Sequence, residues 1–342
     1  MSLLEIKGLE TEFQTEQGVV KALRGINYTV DRGEVLGIVG ESGSGKSVGM
    51  LSLMGLLAPN GTVTAGEMIF DGEDISPIKY KTKKEKKEYE KKMNQIRGND
   101  ISMIFQDPMS YLNPIVTIEK QMTEGIRFHT KCSKKEAVQR AIELMKMVGI
   151  PAPESRLKQY PFEFSGGMRQ RIIIAIALAC NPKLIVADEP TTALDVTVQA
   201  QILDLLKDIT KESNAGVIII THDLGVVASL CDRISIMYGG NIMEEGTTDE
   251  IFYDPKHPYT KGLLNSIANS NVDHREPLKP IPGTPPDLLK LGDQCPFASR
   301  CSEAMEICTK ASPLVTEFGE THKCKCWLHC KERWHEVLKG ED

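Results

Sequence analysis

The stretch Gly40–Ser47, which reads GESGSGKS, constrains the fold of this chain more than any other feature of the sequence. It matches the pattern G-x-x-x-x-G-K-[ST], in which glycines let the backbone wrap around an anion. The apolar run Val35–Val39 before it is typical of a buried strand, and the run Val48–Leu57 after it is typical of a helix. A strand, a phosphate-binding loop and a helix in this order predict an α/β fold with an anion site at the helix N-terminus.

Two side chains at the end of this loop indicate a bound nucleotide with a metal ion. Lys46 adds a positive charge for the β- and γ-phosphates, and the hydroxyl of Ser47 is a ligand for Mg²⁺. The alternative is a Gly- and Ser-rich turn that only happens to precede a helix, and it does not explain why a strand and a helix flank the motif. The predicted nucleotide-binding residues of this loop are Gly40, Ser42, Gly43, Ser44, Gly45, Lys46, Ser47 and Val48.

Length and charge limit the classes of function. The 342 residues exceed one typical domain, so we expect a large domain and an appendage. The formal net charge of −6 gives no general electrostatic reason to bind nucleic acid, and we expect no nucleic-acid partner. The lysine-dense stretch 79–92 has little apolar face, which favours a solvated helix over a lipid or nucleic-acid contact.

No stretch of the sequence is suited to cross a membrane. The longest apolar run, Ile172–Cys180, is too short to span a bilayer, and residues 1–20 alternate charged and apolar side chains without a signal-like segment. We therefore expect the chain to remain in the cytoplasm and to meet the membrane only through partners that cross it.

Acidic side chains follow a second apolar run, Leu184–Ala187. Asp188 at the end of such a strand can hold Mg²⁺, often through water, and the next carboxylate, Glu189, can orient or deprotonate the attacking water. An Asp-Glu pair at a strand end is usually a turn, but the phosphate-binding loop favours a catalytic role here. His222 follows the strand Val217–Ile220 and can reach a γ-phosphate, although a structural histidine is the alternative.

Other segments become informative only in combination. Ser165 is a plausible N-cap for the apolar helix Ile172–Cys180, and Gly166 and Gly167 leave N–H groups accessible, which makes this a second candidate anion site. Gln106 follows the apolar run Ile101–Phe105 and proves nothing alone. Phe13 offers an aromatic face for a nucleotide base, and a position in the core is the alternative.

The order of these segments along the chain resembles that of the ATP-binding-cassette (ABC) ATPases. The segments are the phosphate loop, Gln106-Asp107-Pro108, Ser165-Gly166-Gly167-Met168, Leu184–Glu189, Ala193-Leu194-Asp195 and Thr221-His222-Asp223. The resemblance covers residues 1 to about 255 and implies an ABC nucleotide-binding domain with an N-terminal β subdomain and a helical subdomain at about residues 107–180. It also implies that two such domains pack head to tail, each ATP lying between the Lys46 loop of one subunit and the Ser165–Gly167 segment of the other.

The same resemblance implies a role for each site residue. Ser47, Gln106 and Asp188 would serve Mg²⁺ directly or through water, Glu189 would be the general base, and His222 would sense or stabilise the γ-phosphate. Asp195 would link the two sites across the dimer, and Phe13 would stack on the base. The commonest form of the signature has Leu before Ser165 and Gln after Gly167, whereas this chain has Phe164 and Met168.

The C-terminal third narrows the family. Asp254–Leu264, Ile281–Leu288 and Cys295–Cys301 look like the C-terminal extension of oligopeptide/dipeptide importer ATPases of the D-type group, which also includes nickel-import relatives. This resemblance implies a boundary between an ABC domain at residues 1–255 and an extension at 256–342. It implies a heterodimer with an F-type ATPase subunit, two transmembrane permease subunits, an extracellular solute-binding protein, and a place on the cytoplasmic face of the cell membrane.

A peptide importer has three alternatives. The first is the same motor serving nickel or another small solute, which ranks behind peptides; the sequence itself does not identify the solute. A soluble cassette ATPase would usually carry two cassettes or a long coiled-coil insert, and neither is evident. A GTPase would need an Asn-Lys-x-Asp element, which the sequence lacks.

Nine cysteines in a chain expected in the cytoplasm favour metal ligation or burial over disulfides. The spacings after residue 290 lack the paired C-x-x-C of most structural zinc sites. The family resemblance implies a 4Fe-4S cluster on Cys295, Cys301, Cys308 and Cys326, with Zn²⁺ or unligated thiols as the alternatives. Because Cys324 and Cys330 are extra, the fourth ligand stays open. Cys132, Cys180 and Cys231 are expected to be buried small residues.

Overall fold

The computed structural model describes residues 2–105, 111–191, 195–266 and 280–330. The chain divides into two compact units, which we describe separately. The first comprises Met1–Leu4, Thr29–Val35 and Phe70–Ile220, and the second comprises Glu5–Tyr28, Leu36–Ile69 and Thr221–Asp342.

The described residues contain both strands and helices throughout. The strands are β1 (Leu4–Thr15), β2 (Gly18–Val30), β3 (Val35–Val39), β4 (Gly61–Phe70), β5 (Glu73–Asp74), β6 (Ile101–Ile104), β7 (Leu184–Asp188), β8 (Gly216–Thr221), β9 (Arg233–Tyr238), β10 (Asn241–Thr247), β11 (Val315–Glu317) and β12 (Lys323–Lys325). The helices are α1 (Lys46–Met54), α2 (Lys83–Ile96), α3 (Ile118–Thr130), α4 (Lys134–Met147), α5 (Pro153–Arg156), α6 (Gly166–Ala177), α7 (Val196–Ser213), α8 (Leu224–Leu230), α9 (Thr248–Tyr253) and α10 (Pro258–Asn265). Within these ranges, no helix combines the length and apolar character that a membrane-spanning helix needs.

Three parallel strands form the centre of the first unit. β7 pairs with β6 on one side and with β8 on the other, so that Asp188 lies opposite Ile220. Parallel neighbours require a crossover, and the amphipathic helix α7 supplies it between β7 and β8. β7 and β8 are buried at every position, as expected for parallel strands whose residues are mostly apolar. The carboxyl end of β7 is therefore the point where acidic residues can leave the core.

Helices of the first unit follow local sequence signals. α4 begins at a capping box in which the hydroxyl of Ser133 accepts a hydrogen bond from the N–H of Glu136 and the Glu136 carboxylate accepts one from the N–H of Ser133. The lysine-dense stretch forms the predicted solvated helix, because α2 buries only Tyr89, Met93 and Ile96. The predicted apolar helix with Ser165 as its N-cap is present as α6, which runs from Gly166 to Ala177 and so ends three residues before the predicted Cys180.

The second unit is built on a mixed sheet. β3 runs parallel to β9, β9 is antiparallel to β10, and β12 joins β10 to β11 through further antiparallel pairs. β3 is buried at every position, and α1 begins seven residues after its end. This geometry places the phosphate loop at the carboxyl end of a buried parallel strand. A separate set of strands in the order β2, β1 and β4 forms the predicted N-terminal β structure.

Candidate nucleotide-binding site

The loop between β3 and α1 has no room for side chains at two of its glycines. A Cβ atom on Gly40 would lie 2.1 Å from the carbonyl oxygen of Met237, and one on Gly45 would lie 2.7 Å from the carbonyl oxygen of Ala22. Gly45 also has φ +103°, a left-handed conformation that L side chains rarely adopt. The neighbouring strands therefore force the loop into a shape that only glycine permits, with the backbone exposed to an anion at the start of α1.

Lys46 lies inside this loop. Its Nζ donates hydrogen bonds to the carbonyl oxygens of Gly40 (2.7 Å) and Glu41 (2.8 Å), and the residue is only 7% exposed. The ammonium charge is thus held at the place where the sequence predicts phosphate binding. Ser47 follows on the exposed side of α1, where its hydroxyl is accessible to a metal ion.

A buried hydroxyl in the same loop has no partner among the described residues. The Oγ atom of Ser44 is inaccessible to solvent and makes no hydrogen bond there, while the Ser44 carbonyl oxygen accepts one from the N–H of Gly240 at 2.9 Å. A buried polar atom without a partner is costly, and a phosphate oxygen would satisfy it. The loop residues therefore fit a bound nucleoside triphosphate.

The predicted Mg²⁺ ligand Asp188 and the predicted general base Glu189 lie at the carboxyl end of β7, in the first unit. Asp188 is the last residue of the strand and is 7% exposed. Glu189 has φ +45°, and its N–H donates a hydrogen bond of 2.8 Å to the carbonyl oxygen of Ile220. A left-handed glutamate is unusual, and such backbone conformations occur where function requires a particular side-chain direction. The bend turns the chain away from the strand immediately after Asp188.

Ser165 caps helix α6 as predicted. Its Oγ accepts a hydrogen bond from the N–H of Met168, and both Ser165 and Gly166 are exposed. Gly167 is required for packing, since a Cβ there would lie 2.8 Å from Cγ1 of Val198 in α7. Phe164, a departure from the usual signature, is buried and stacks under the guanidinium of Arg156. The departure therefore alters the packing beneath the helix and leaves the exposed helix N-terminus intact.

The structure also gives positions for three other predicted site residues, Asp195, His222 and Phe13. Asp195 caps α7, its carboxylate accepting a hydrogen bond from the N–H of Val198 at 3.0 Å. His222 is exposed just beyond the end of β8, and the half-buried ring of Phe13 packs against Gly61. Gln106 and residues 192–194 lie outside the described residues, so their roles stay predictions. The Lys46 loop, Phe13 and His222 belong to the second unit, and Ser165, Asp188, Glu189 and Asp195 to the first.

Comparison with known proteins decides the family. The family described as ABC transporter matches residues 23–192, and the family described as oligopeptide/dipeptide transporter, C-terminal region, matches residues 243–308. The oligopeptide transport ATP-binding protein OppD of Bacillus subtilis is 52% identical over 327 residues, which cover 95% of this chain and 88% of OppD. The chain belongs to the family of oligopeptide and dipeptide transport ATP-binding proteins.

Further similarities agree with this membership. The dipeptide transport ATP-binding protein DppD of Bacillus subtilis is 48% identical over 340 residues, covering 99% of this chain and 98% of DppD. A solved dimeric ATP-binding cassette in a post-hydrolysis state with ADP and Pi has a TM-score of 0.61 and 29% identity, covering 72% of this chain and 98% of that one. The chain is thus a P-loop ABC ATPase with a mixed sheet and helices, and the predicted family is confirmed.

The nine cysteines of this ABC ATPase all lie within the described ranges and form no disulfide bonds there. Burial, reinforced by the neighbouring thiols, raises the pKa of both Cys295 and Cys326 to about 12. The four cysteines of the predicted cluster, Cys295, Cys301, Cys308 and Cys326, influence one another's pKa electrostatically. Yet the described ranges contain no group of three or more His, Cys, Asp or Glu arranged to hold a metal ion, so this geometry does not support the predicted cluster.

The remaining cysteines differ in their surroundings. Cys324 lies in β12 opposite Glu244, and after burial the Glu244 carboxylate is the main cause that raises its pKa. Cys231 is buried behind β3, where a Cβ on Gly37 would lie 2.9 Å from its sulfur. Cys132 and Cys180 are only half-buried, so the prediction that they are core residues is wrong.

The sequence reasoning missed that the C-terminal region of the ATPase contacts the phosphate loop. Arg300 Nη1 lies 2.6 Å from Glu41 Oε2, and the hydroxyl of Tyr259 accepts a hydrogen bond of 3.0 Å from the N–H of Glu41. No local pattern reveals contacts between residues more than 200 positions apart. The only available signal was a charged residue, Arg300, inside the apolar segment between Cys295 and Cys301.

Proposed function

We propose that this chain is the ATP-hydrolysing subunit of an importer for oligopeptides or dipeptides. One observation carries the proposal: the same chain contains two features. The first is a phosphate loop, shaped by its glycines, in which Lys46 is held, and the second is a region that matches the oligopeptide/dipeptide transporter C-terminal family. Relatives named for those two transport functions are about half identical to it over nearly its whole length. It is therefore the motor of the importer, and it uses ATP with Mg²⁺ to drive conformational change in membrane-spanning partners.

The residues of the site divide the chemistry among them. The loop from Gly40 to Val48 binds the phosphates through backbone N–H groups and Lys46, and Ser47, Gln106 and Asp188 hold Mg²⁺ directly or through water. The metal ion, when bound, supplies charge neutralisation at the phosphates. Glu189, held in a left-handed bend after β7, aligns and deprotonates the attacking water, and His222 contacts the γ-phosphate.

A second cassette completes each site. The exposed N-terminus of α6 at Ser165 and Gly166 is suited to face the γ-phosphate bound by the Lys46 loop of a partner subunit. Asp195 at the start of α7 links the two sites, and Phe13 stacks on the base. The partner is a related F-type ATPase subunit, and a solved cassette that is similar to this chain is itself a dimer.

The heterodimer docks on two transmembrane permease subunits at the cytoplasmic face of the cell membrane, and an extracellular solute-binding protein delivers the solute. Ile115, Phe128 and Phe162 in the first unit are large apolar side chains that are at least 64% exposed. Exposed side chains of this kind are typical of protein interfaces, which supports permease contact from this unit.

A 4Fe-4S cluster on Cys295, Cys301, Cys308 and Cys326 is part of the proposal, with Zn²⁺ as the alternative. Its support is the match of these four positions to the family pattern and the burial of three of them, Cys295, Cys308 and Cys326, whereas Cys324 lies opposite Glu244. Iron, sulfide and zinc determinations on protein purified without oxygen test it. A brown protein with four irons supports the cluster, whereas colourless protein with stoichiometric zinc or no metal overturns it.

Glu189→Gln tests the catalytic assignment. The amide keeps the size of the side chain and cannot accept a proton from water, so ATP binding should persist while turnover falls by about 100-fold or more. Binding and hydrolysis are measured on the assembled importer, with Glu163→Gln, an exposed capping residue of the first unit, as the matched control. Normal turnover of the Glu189 variant would contradict the assignment. Uptake of labelled peptides, compared with nickel, identifies the solute.

A further inference from the structure

We propose that Arg300 and Tyr259 of the C-terminal region are positioning residues for the phosphate loop, so that this region sets the affinity of the loop for nucleotide. The inference rests on the proposed nucleotide binding at Lys46 and adds two residues to the site. All of the contacts that carry it lie within the second unit.

Glu41, the second residue of the loop, makes four hydrogen bonds. Its N–H donates to the hydroxyl of Tyr259 (3.0 Å), and its Oε2 accepts from Arg300 Nη1 (2.6 Å). Its carbonyl oxygen accepts from Lys46 Nζ (2.8 Å) and from the N–H of Ser44 (3.2 Å). Two of the four partners come from the C-terminal region, which begins beyond β10. The path of the backbone from Gly40 to Lys46 is therefore fixed partly from outside the cassette core.

Arg300 is itself rigidly held. Its Nε donates to the carbonyl oxygen of Pro282 at 2.8 Å, and its Nη2 donates to the carbonyl oxygen of Ile281 at 3.3 Å. Nη1 also donates to the hydroxyl of Tyr238 at 3.0 Å, and the guanidinium carbon lies 5.7 Å from the centre of that ring. The side chain is 6% exposed. Because a planar fork makes these contacts in several directions at once, lysine cannot replace all of them.

An aromatic cluster supports both positioning residues. The ring centres of Tyr238 and Tyr259 are 4.5 Å apart, and Phe297 lies 5.3 Å from Tyr238 and 5.2 Å from Tyr259. Tyr238 follows Met237, whose carbonyl oxygen leaves no room for a side chain at Gly40. The cluster thus connects the loop, the end of β9 and the segment between Cys295 and Cys301 into one packed group.

The ion pair between Arg300 and Glu41 has a second, electrostatic role. The Glu41 side chain is 23% exposed and belongs to a loop that must bind a highly charged anion, and Arg300 neutralises its carboxylate at 2.6 Å. Without Arg300, the unpaired carboxylate would repel the phosphates at short range. This repulsion must grow with ligand charge, so ATP is affected more than ADP. Removal of the carboxylate in the same molecule must relieve it.

The test uses the full-length chain and the fluorescent nucleotide mant-ATP with Mg²⁺ at constant ionic strength, with ATP and ADP as competitors. Arg300→Gln should weaken ATP binding about tenfold and ADP binding less, and Arg300→Lys should weaken ATP binding about threefold. Glu41→Gln combined with Arg300→Gln should recover at least half of the lost affinity on a logarithmic scale. Tyr259→Phe, which removes only the hydroxyl, should weaken binding about threefold.

Arg24→Gln is the matched control. Arg24 donates to the backbone carbonyl oxygens of Leu291 (2.6 Å) and Gly292 (2.9 Å), so it also anchors the C-terminal region through a guanidinium. This variant should lower the thermal unfolding midpoint as much as Arg300→Gln does, with nucleotide affinity unchanged. If affinity instead follows thermal stability across all variants, the proposal is overturned and Arg300 is merely structural.

The possible failures are distinguishable. A wild-type chain that does not bind mant-ATP would overturn nucleotide binding at the Lys46 loop. A wild-type chain that binds, together with unchanged affinity in Arg300→Lys and Tyr259→Phe, would overturn only the positioning role. These two mild variants keep the test decisive even where Arg300→Gln fails to fold.

Discussion

Three glycines of the phosphate loop allow steric exclusion to be separated from backbone strain. Gly43 has φ +76°, and a Cβ added there would meet nothing within 4 Å, so alanine at this position suffers strain alone. At Gly45, φ is +103° and the added carbon would lie 2.7 Å from a backbone carbonyl oxygen, so strain and a clash combine. Gly40 would place the carbon 2.1 Å from the carbonyl oxygen of Met237, with ordinary backbone angles.

The magnitudes follow from these contacts. A left-handed alanine costs about 1–2 kcal/mol, and overpacking against a backbone that cannot yield costs about 1–3 kcal/mol. We therefore expect Gly43→Ala to lower the free energy of unfolding by about 1–2 kcal/mol, and Gly45→Ala by about 2–5 kcal/mol. If the loop relieves this strain by leaving its anion-binding conformation, the affinity for ATP falls about tenfold for each 1.4 kcal/mol that is needed to restore that conformation. Gly43→Ala should then bind ATP about tenfold more weakly, and Gly45→Ala about 100-fold more weakly.

Urea unfolding and mant-ATP titration measure the two effects on the same preparations. Gly166→Ala is the control, because a Cβ at that exposed helix start meets nothing within 4 Å, and it should leave both quantities unchanged in the isolated chain. Wild-type stability and affinity in Gly45→Ala or Gly40→Ala would refute the argument that the neighbouring strands force this loop shape.

Two further predictions concern the second unit. Burial lowers the pKa of His257 from 6.5 to about 3, so that between these pH values the unfolded chain takes up a proton on this residue and the folded chain does not. The free energy of unfolding should therefore fall by about 1.4 kcal/mol per pH unit as the pH drops from 6.5 toward 3. In acid unfolding curves, His257→Asn should make this dependence on pH less steep. The pKa values of Cys295 and Cys326 are raised to about 12, so at pH 8 few of these thiols are ionised. In the metal-free chain, iodoacetamide should therefore label these two cysteines far more slowly than Cys132. Peptide mapping measures the labelling of each cysteine, and equal labelling of all three would contradict the prediction.

The local parts of the site could be predicted from the sequence, because each rests on a short pattern. A buried strand, a glycine-forced loop and a helix follow one another within about 20 residues around Lys46, and Asp188 and Glu189 follow β7 directly. The start of α6 could also be predicted, because Ser165 is a favoured N-cap residue directly before the two glycines of the first turn, whereas the helix ends at Ala177 and not at the predicted Cys180.

Long-range contacts lay beyond sequence patterns. The pair formed by Glu41 and Arg300 joins residues 259 positions apart, and neither residue belongs to a periodic segment that identifies its partner. The φ of +45° at Glu189 is equally invisible, since the sequence there reads as an ordinary strand end. The packing of segments that are distant in sequence determines both the Glu41–Arg300 contact and the backbone conformation of Glu189. Composition and hydrophobic periodicity do not predict such packing.

The C-terminal region also completes the sheet of the cassette. β12 pairs with β10 so that Cys324 lies opposite Glu244, a carboxylate with no exposed surface. Glu244 accepts hydrogen bonds from the N–H groups of Lys256 (2.6 Å) and His257 (2.9 Å), and the His322 ring lies 2.8 Å away. All three partners lie beyond residue 255, where the sequence suggests a domain boundary. In a cassette ending there, Glu244 would lose all three partners, and β10 would lose its pairing with β12 and keep only its pairing with β9. The region that positions the phosphate loop therefore also extends the sheet and supplies the hydrogen-bond partners of its buried carboxylate.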